Sequence, residues 1–342
     1  PAPASSSSPD GDRLPRRKSN HSDNLGTPPR RCSMPERSRG GRPFRAIRAG
    51  MSFRIPPAIL RIFLRIALKP FLGPPFPVGF QRFWARLVSF ANPVSRAAST
   101  STLHIDGMPA VCARPSSSNP SRVLLYFHGG GYCIGSWQTH RGLITHLAVA
   151  ADALVYAPNY RLAPEHPHPA ALEDGLKAYR WLLDRGAPAG TIAIAGDSAG
   201  GGLALATAVA VRDRGLPLPA SLVLISPWVD LRGDTPSMTD NASIDPMLRA
   251  SWSRWCATRY LNGRDPNDPA CSPLFADHRG LPPLLIHVGT DEMIFDDSTR
   301  LAERCRAAGV EVRLTVFDRM WHEFQIHAGM MNESDEAVAE IA

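Results

Sequence analysis

From residue 102 onward the chain alternates two hydrophobic rhythms. Short apolar runs rich in β-branched residues recur at 102–105, 109–113, 122–127, 154–158, 191–195, 222–226, 284–288 and 310–317. Between most of them lie longer stretches with apolar positions every three or four residues, at 140–151, 170–183, 299–308 and 333–341, and after the glycines at 200–202 up to 212. Unbroken apolar runs predict strands buried on both faces, and the longer period predicts helices laid over them. Asp106-Gly107 between the first two runs predicts a hairpin turn. The repeat of strand, loop and helix predicts an α/β fold, a doubly wound and mostly parallel sheet with right-handed crossovers. The stretch 238–260 is too long for a plain crossover and carries Trp252, Trp255 and Tyr260 at helical spacing. It predicts a helical insertion near 238–262, with its aromatics expected in the core and a lid role as the alternative.

Ahead of the first strand, residues 57–69 read as an amphipathic helix. Arg61, Arg65 and Lys69 recur every four residues as one narrow basic stripe on an otherwise apolar surface. Such a helix is expected to bury its broad apolar side against the body; lying weakly on a membrane surface is the alternative. A Pro-rich break at 71–77 and a second short helix near 80–88 follow, so 51–95 read as cap helices before a catalytic body at 96–342. Residues 1–50 are Ser/Pro/Arg-rich without apolar periodicity and are expected to be disordered. The chain opens on proline and the first foldable stretch opens at Met51. The expectation is that 1–50 lie outside the natural coding sequence. The helix at 333–341 ends without a stop signal and is expected to continue.

Charge narrows the partners. The chain has 342 residues and a net charge of +7, and residues 1–50 hold eleven Lys/Arg against four Asp/Glu. From residue 51 on, the two signs balance at 27 each. A nucleic-acid role would therefore rest on the tail alone, and none is expected of the folded part. No run of 18 or more apolar residues occurs, so no transmembrane helix is expected, and no signal-peptide layout is present. Six scattered cysteines without a C-x-x-C pair read as reduced thiols of a cytoplasmic protein, with no metal site.

The chemistry centres on Gly196-Asp197-Ser198-Ala199-Gly200, entered by the β-branched run at 191–195 and left by an Ala/Leu helical run. Chance supplies a bare Gly-x-Ser-x-Gly about 0.1 times in a chain this long. The strand-turn-helix context is what a nucleophile elbow requires: a Cβ at either flanking glycine would collide with the neighbouring strand or helix. Sites in open α/β sheets lie past the carboxyl ends of strands. After 122–127 comes His128-Gly129-Gly130-Gly131-Tyr132, glycines that let backbone N–H groups face a site, as an oxyanion hole needs. A phosphate loop is the alternative, but no G-x-x-x-x-G-K-[ST] pattern accompanies it. After 284–288 come Asp291 and Glu292, and after 310–317 comes His322. The order serine, carboxylate, histidine at successive strand ends is that of an acyl-transfer triad on an α/β-hydrolase sheet.

Four motifs in this order, His128-Gly-Gly-Gly-Tyr132, Tyr160-Arg-Leu-Ala-Pro-Glu165, the elbow, and Trp-His-Glu-Phe around His322, resemble the hormone-sensitive-lipase-like family of α/β-hydrolases, in particular its bacterial carboxylesterase branch with a Gly-Asp-Ser-Ala-Gly elbow. The resemblance covers roughly 51–342. It implies an eight-stranded sheet, a helical cap partly built from the N-terminal helices, and hydrolysis of short- to medium-chain acyl esters without metal or cofactor. It further implies Ser198 as nucleophile, His322 as general base, and Gly129, Gly130 and Ala199 as oxyanion-hole donors. Glu292, with Asp296 four positions on, is the expected orienting acid and Asp291 the alternative; Asp197 is expected to face away from the base. The Tyr160–Glu165 stretch is expected to be structural, supporting the loop under the oxyanion hole, and His166-Pro-His168 beyond it is not expected to hold a metal. Expected partners are a small ester and a second copy of the chain. Amidase or lactonase chemistry with the same triad, or a non-catalytic ligand-binding homologue, are the rival readings.

Overall fold

The computed structural model describes residues 54–342, and the expectations for residues 1–50 and a start at Met51 lie outside them. Two helices come first, α1 (Pro57–Ala67) and α2 (Val78–Ser89). The hairpin β1 (Ala98–Ile105) and β2 (Met108–Pro115) follows, with Ile105 paired to Met108 across the Asp-Gly turn. Then come β3 (Arg122–Phe127), α3 (Arg141–Ala150), β4 (Ala153–Pro158), α4 (Ala170–Asp184), β5 (Ile192–Asp197), α5 (Ala199–Asp213) and β6 (Ser221–Ile225). An insertion carries α6 (Pro236–Asp240) and α7 (Ala250–Leu261) before β7 (Leu284–Gly289), α8 (Phe295–Ala307), β8 (Val312–Phe317) and α9 (Asn332–Ile341). The eight strands form one sheet in the order β1-β2-β4-β3-β5-β6-β7-β8. Only the β1–β2 and β2–β4 pairings are antiparallel. The rest run parallel, with β5 central between β3 and β6.

The unbroken apolar runs are explained by two cores. Leu125, Phe127, Ile194, Leu222 and Leu224 face one side with Leu176, Leu203 and Leu301 of α4, α5 and α8. Their neighbours Leu124, Tyr126, Ala195, Val223 and Ile225 face the other, with Leu143, Ile144 and Leu147 of α3 and Val338 of α9. Alternate side chains point to opposite faces of a strand, so a strand covered on both faces must be apolar at every position. Helix α8 starts four residues earlier than its apolar period predicts. Its first turn holds Asp296 and Asp297, which suit the positive end of a helix dipole.

Helix α1 departs from expectation. Leu60 and Leu64 are buried, yet the basic stripe also faces the protein. Arg61 donates to the carbonyls of Ile244 and Arg319, Arg65 to those of Ser243 and Ile244, and Lys69 Nζ to those of Ala242 and Asp245. All of those carbonyls but that of Arg319, which follows β8, lie on the non-helical stretch after α6, where they need donors from elsewhere. Ile59, Ile62, Phe63 and Ile66 are consequently left exposed. The loop packed against Leu60 and Leu64 carries Met320, Trp321 and Phe324. Among the described residues no helix is long and apolar enough to cross a membrane. Cys133, Cys256, Cys271 and Cys305 are free and buried, whereas Cys112 is not a free thiol, against the expectation of six reduced ones.

Candidate active site

Strand β5 ends in Asp197, and Ser198 turns the chain into α5 with φ 50° and ψ −120°. This left-handed conformation is costly for a residue with a Cβ and survives because the surroundings impose it. Ser198 N–H donates to the Ile225 carbonyl of β6, while its carbonyl accepts from Gly202 and Trp228. A Cβ on Gly196 would lie 2.2 Å from the Gly200 carbonyl oxygen, and one on Gly200 2.1 Å from that of Phe127. Both flanking glycines are thus sterically required, as the sequence predicts.

His322 follows β8 and is 1% exposed. Its Nδ1–H donates to Glu292 Oε2 over 3.0 Å. Glu292 is fully buried, and its Oε1 accepts from Ser226 Oγ at 2.8 Å and Gly289 N–H at 2.5 Å. Asp291, one residue earlier, points outward into a 2.8 Å ion pair with Arg61 of α1. The structure therefore brings Glu292 to the histidine and leaves Asp291 at the cap. Asp296 receives the Ser237 N–H of α6. Burial by itself lowers the affinity of His322 for a proton, but the hydrogen bond and charge of Glu292 outweigh it and raise its pKa above the ordinary value. Fixing Nδ1–H on the carboxylate leaves Nε2 as the basic nitrogen. No hydrogen bond joins Nε2 to Ser198 among the described residues; the acidic oxygen facing Nε2 is Glu323 Oε1, at 3.6 Å.

The glycine run lies against the elbow, with one correction. Gly129 N–H donates to Asp197 Oδ2 at 2.8 Å, so it is committed to the protein rather than free for an oxyanion. Gly130 and Gly131, at φ 113° and 61°, and Ala199, at the start of α5, direct N–H groups to no acceptor among the described residues. The hydrogen bonds of Asp197 go to residues other than His322, and these partners were not legible. His140 Nε2–H donates to its Oδ2 at 3.0 Å and the Tyr126 hydroxyl to its Oδ1. Burial would raise the Asp197 pKa, but His140 overrides it and holds the carboxyl well below the usual range. No motif announces His140, which lies 57 positions upstream. Glu323 was visible only as a letter in the Trp-His-Glu-Phe motif. The available signal is an acid between two aromatics, Trp321 and Phe324, that are both fully buried. His140, Asp197 and Glu323 are the described residues whose ligand atoms approach closely enough to suggest a cation, within 4.8 Å of one another. His168 instead contacts the Tyr260 hydroxyl at 3.2 Å. Below the glycines, Tyr160 donates to the His128 carbonyl, Arg161 binds Asp174, and Glu165 pairs with Arg82 of α2.

Ser198, Gly130 and His322 form the floor of a mostly apolar cavity, roofed by Leu60, Leu64 and Leu68 of the α1 region and Ala85 and Val88 of α2. A second, smaller cavity reaches Ser198 from the side of Gly131, walled by Trp228, Trp252 and Ile294. The result is a buried hydroxyl between two mostly apolar chambers, with free backbone donors on one side and a carboxylate-oriented imidazole on the other.

This architecture defines an α/β-hydrolase. A family model for the alpha/beta hydrolase fold matches residues 124–326. The chain is 44% identical over 225 residues to an acetyl-hydrolase of Streptomyces hygroscopicus, covering 66% of this chain and 75% of that one. It is 36% identical over 228 residues to an esterase of Acinetobacter venetianus, again covering 66% and 75%. The crystal structure of an esterase from the bacterial hormone-sensitive lipase family superposes with a TM-score of 0.80 at 40% identity, covering 83% of this chain and 95% of that one. The chain belongs to the α/β-hydrolase family. Within it, the chain is a carboxylic ester hydrolase of the bacterial hormone-sensitive-lipase-like branch.

Proposed function

We propose that the chain is a serine carboxylesterase that cleaves short- to medium-chain acyl esters through an acyl-enzyme. The observation that carries this reading is the 3.0 Å hydrogen bond from His322 Nδ1 to Glu292, in a cavity whose floor also holds the strained Ser198. His322 Nε2 takes the Ser198 proton as the hydroxyl oxygen attacks the ester carbonyl. Such contacts commonly tighten only when substrate is bound. Negative charge then develops on the carbonyl oxygen, where the N–H groups of Gly130, Gly131 and Ala199 receive it; each donor is worth about 3 kcal/mol. Gly131 takes the place that Gly129 gives up to Asp197. His322 returns the proton to the departing alcohol, and water repeats the sequence to release the acid. We assign the acyl group to the smaller chamber beside Gly131 and the alcohol to the larger one; the smaller chamber favours short acyl chains.

Hydrolysis of a chromogenic acetate or butyrate ester tests the reading. Ser198→Ala is expected to lower kcat by about 10⁶-fold with the circular dichroism spectrum unchanged. Residual activity within tenfold of the parent would reject the assignment, and equal loss of ester binding would favour a non-catalytic role.

A further inference from the structure

The serine mechanism makes no use of Glu323. Its side chain is nevertheless 9% exposed, beside Ser198 and with Oε1 3.6 Å from His322 Nε2. It is also fixed there. Its backbone takes a left-handed φ of 54°, and its N–H donates to Ser226 Oγ, the same hydroxyl that holds Glu292. A Cβ on Gly129 would fall 2.2 Å from Glu323 Oε1 and 2.3 Å from Asp197 Oδ2. The two carboxyls therefore close around the oxyanion loop and come against each other. Donors already cover both Asp197 oxygens: Gly129 N–H and His140 Nε2–H on one, the Tyr126 hydroxyl on the other. Glu323 Oε1 has no donor among the described residues. Two buried carboxyls in contact do not both ionise. The donor pattern puts the negative charge on Asp197.

We propose that Asp197 and Glu323 hold one proton between them, that this keeps Glu323 neutral beside Ser198 and His322, and that its loss shuts the site at alkaline pH. Glu323 is on this account a positioning residue of the ester hydrolase, and the proposal rests on the serine reading above. In the neutral state its O–H donates to Asp197, and no net charge faces Nε2. Once ionised, an oxygen 3.6 Å from Nε2 stabilises the imidazolium, so His322 holds the proton it takes from Ser198 and no longer returns it to the departing alcohol. The same charge opposes the oxyanion. The groups facing Glu323 are Tyr126 from β3, Tyr160 after β4, His140 before α3, Asp197 and Ser198 at the elbow, Glu292 after β7 and its neighbour His322. Burial and the Asp197 charge raise the Glu323 carboxyl well above the usual range. A cation is the other occupant that this trio suggests, but it would meet the hydrogens that already point at Asp197.

The test is the pH profile of kcat/KM on a soluble acetate ester, for the parent and Glu323→Gln, each normalised to its own plateau. The parent should show an alkaline fall of about tenfold per pH unit, and Glu323→Gln should lose that fall while keeping the acid limb. An identical alkaline limb in both proteins overturns the proposal. An infrared titration of the parent gives an independent readout: the C=O band of a protonated carboxylic acid should disappear with the midpoint of the alkaline limb. Asp297, which burial pushes up to about 7, contributes a second such band, which Asp297→Asn removes. If Glu323→Gln does not fold, this titration decides alone, and absence of a carboxyl band tracking the limb overturns the proposal. Failure of the serine reading is a separate result, seen as activity surviving in Ser198→Ala.

Discussion

The floor and the roof of the cavity are built on opposite terms. On the floor, Asp197, Ser198, Glu292 and His322 are each 7% exposed or less, and they are held through hydrogen bonds from β3, β6, β7 and the oxyanion loop. The roof is leucine inside and isoleucine outside, with Ile59, Ile62 and Ile66 at 58%, 59% and 68% exposure. Its polar ties are long side chains reaching inward to main-chain carbonyls. Where charge develops during reaction, preorganised dipoles matter and small displacements are expensive. Where an acyl or alkyl chain is merely enclosed, apolar area suffices and exact placement matters less. The floor is therefore expected to fail in kcat when altered, and the roof in stability or not at all.

The largest break in this contrast should come from the two adjacent acids. Glu292→Ala is expected to lower kcat by about 10⁴-fold, the scale seen when a triad histidine loses its orienting acid. Asp291→Asn removes only the exchange with Arg61 and should leave kcat within about threefold, since exposed or partly exposed ion pairs are worth about 1 kcal/mol or less. The opposite ranking in steady-state assays would transfer the role to Asp291. On the roof, Leu64→Ala should cost about 2–5 kcal/mol of unfolding free energy, measured by urea titration, because Leu64 is 2% exposed against Trp321 and Phe324. A cost below 1 kcal/mol would show that α1 is not docked as described. The acid limb offers a smaller but sharper test. The His322 pKa is raised, protonation disables the base, and activity is lost as pH falls through that pKa. The midpoint should thus lie above the ordinary value of about 6.5, and in Glu292→Gln it should move down. A parent midpoint below 6.5 would contradict the hydrogen bond to Glu292. The smallest effect is expected from Ile62→Gln, within about 0.5 kcal/mol in stability, since that side chain faces water.

Much of this arrangement was legible before any coordinates. The elbow at 196–200 could be recognised because its demands are local: two glycines without room for a Cβ, a strand before and a helix after. The central strands could be placed because burial on both faces leaves few polar positions in them. Helix α1 shows the limit. Its period predicted the helix and its stripe, but not that the stripe would turn inward, because that depended on carbonyls of residues 242–245, more than 170 positions away. Gly129 shows it again. A glycine run announces free N–H groups, but which one is already taken depends on Asp197, 68 positions on.

The sequence by itself determined the sheet, the order serine, acid, histidine at its strand ends, and the steric character of the turn that carries Ser198. These follow from side-chain period and from the backbone conformations that neighbouring residues permit. Only the tertiary structure decided that Glu292 rather than Asp291 meets His322, that Asp197 binds His140 and Gly129, and that Glu323 stands against Asp197 at the foot of the site. Adjacent side chains on a turn point in different directions. Which of them meets a partner is set by the packing of strands β5 to β8 and the loops that follow them, and that packing joins residues too distant in the chain for any local pattern to record.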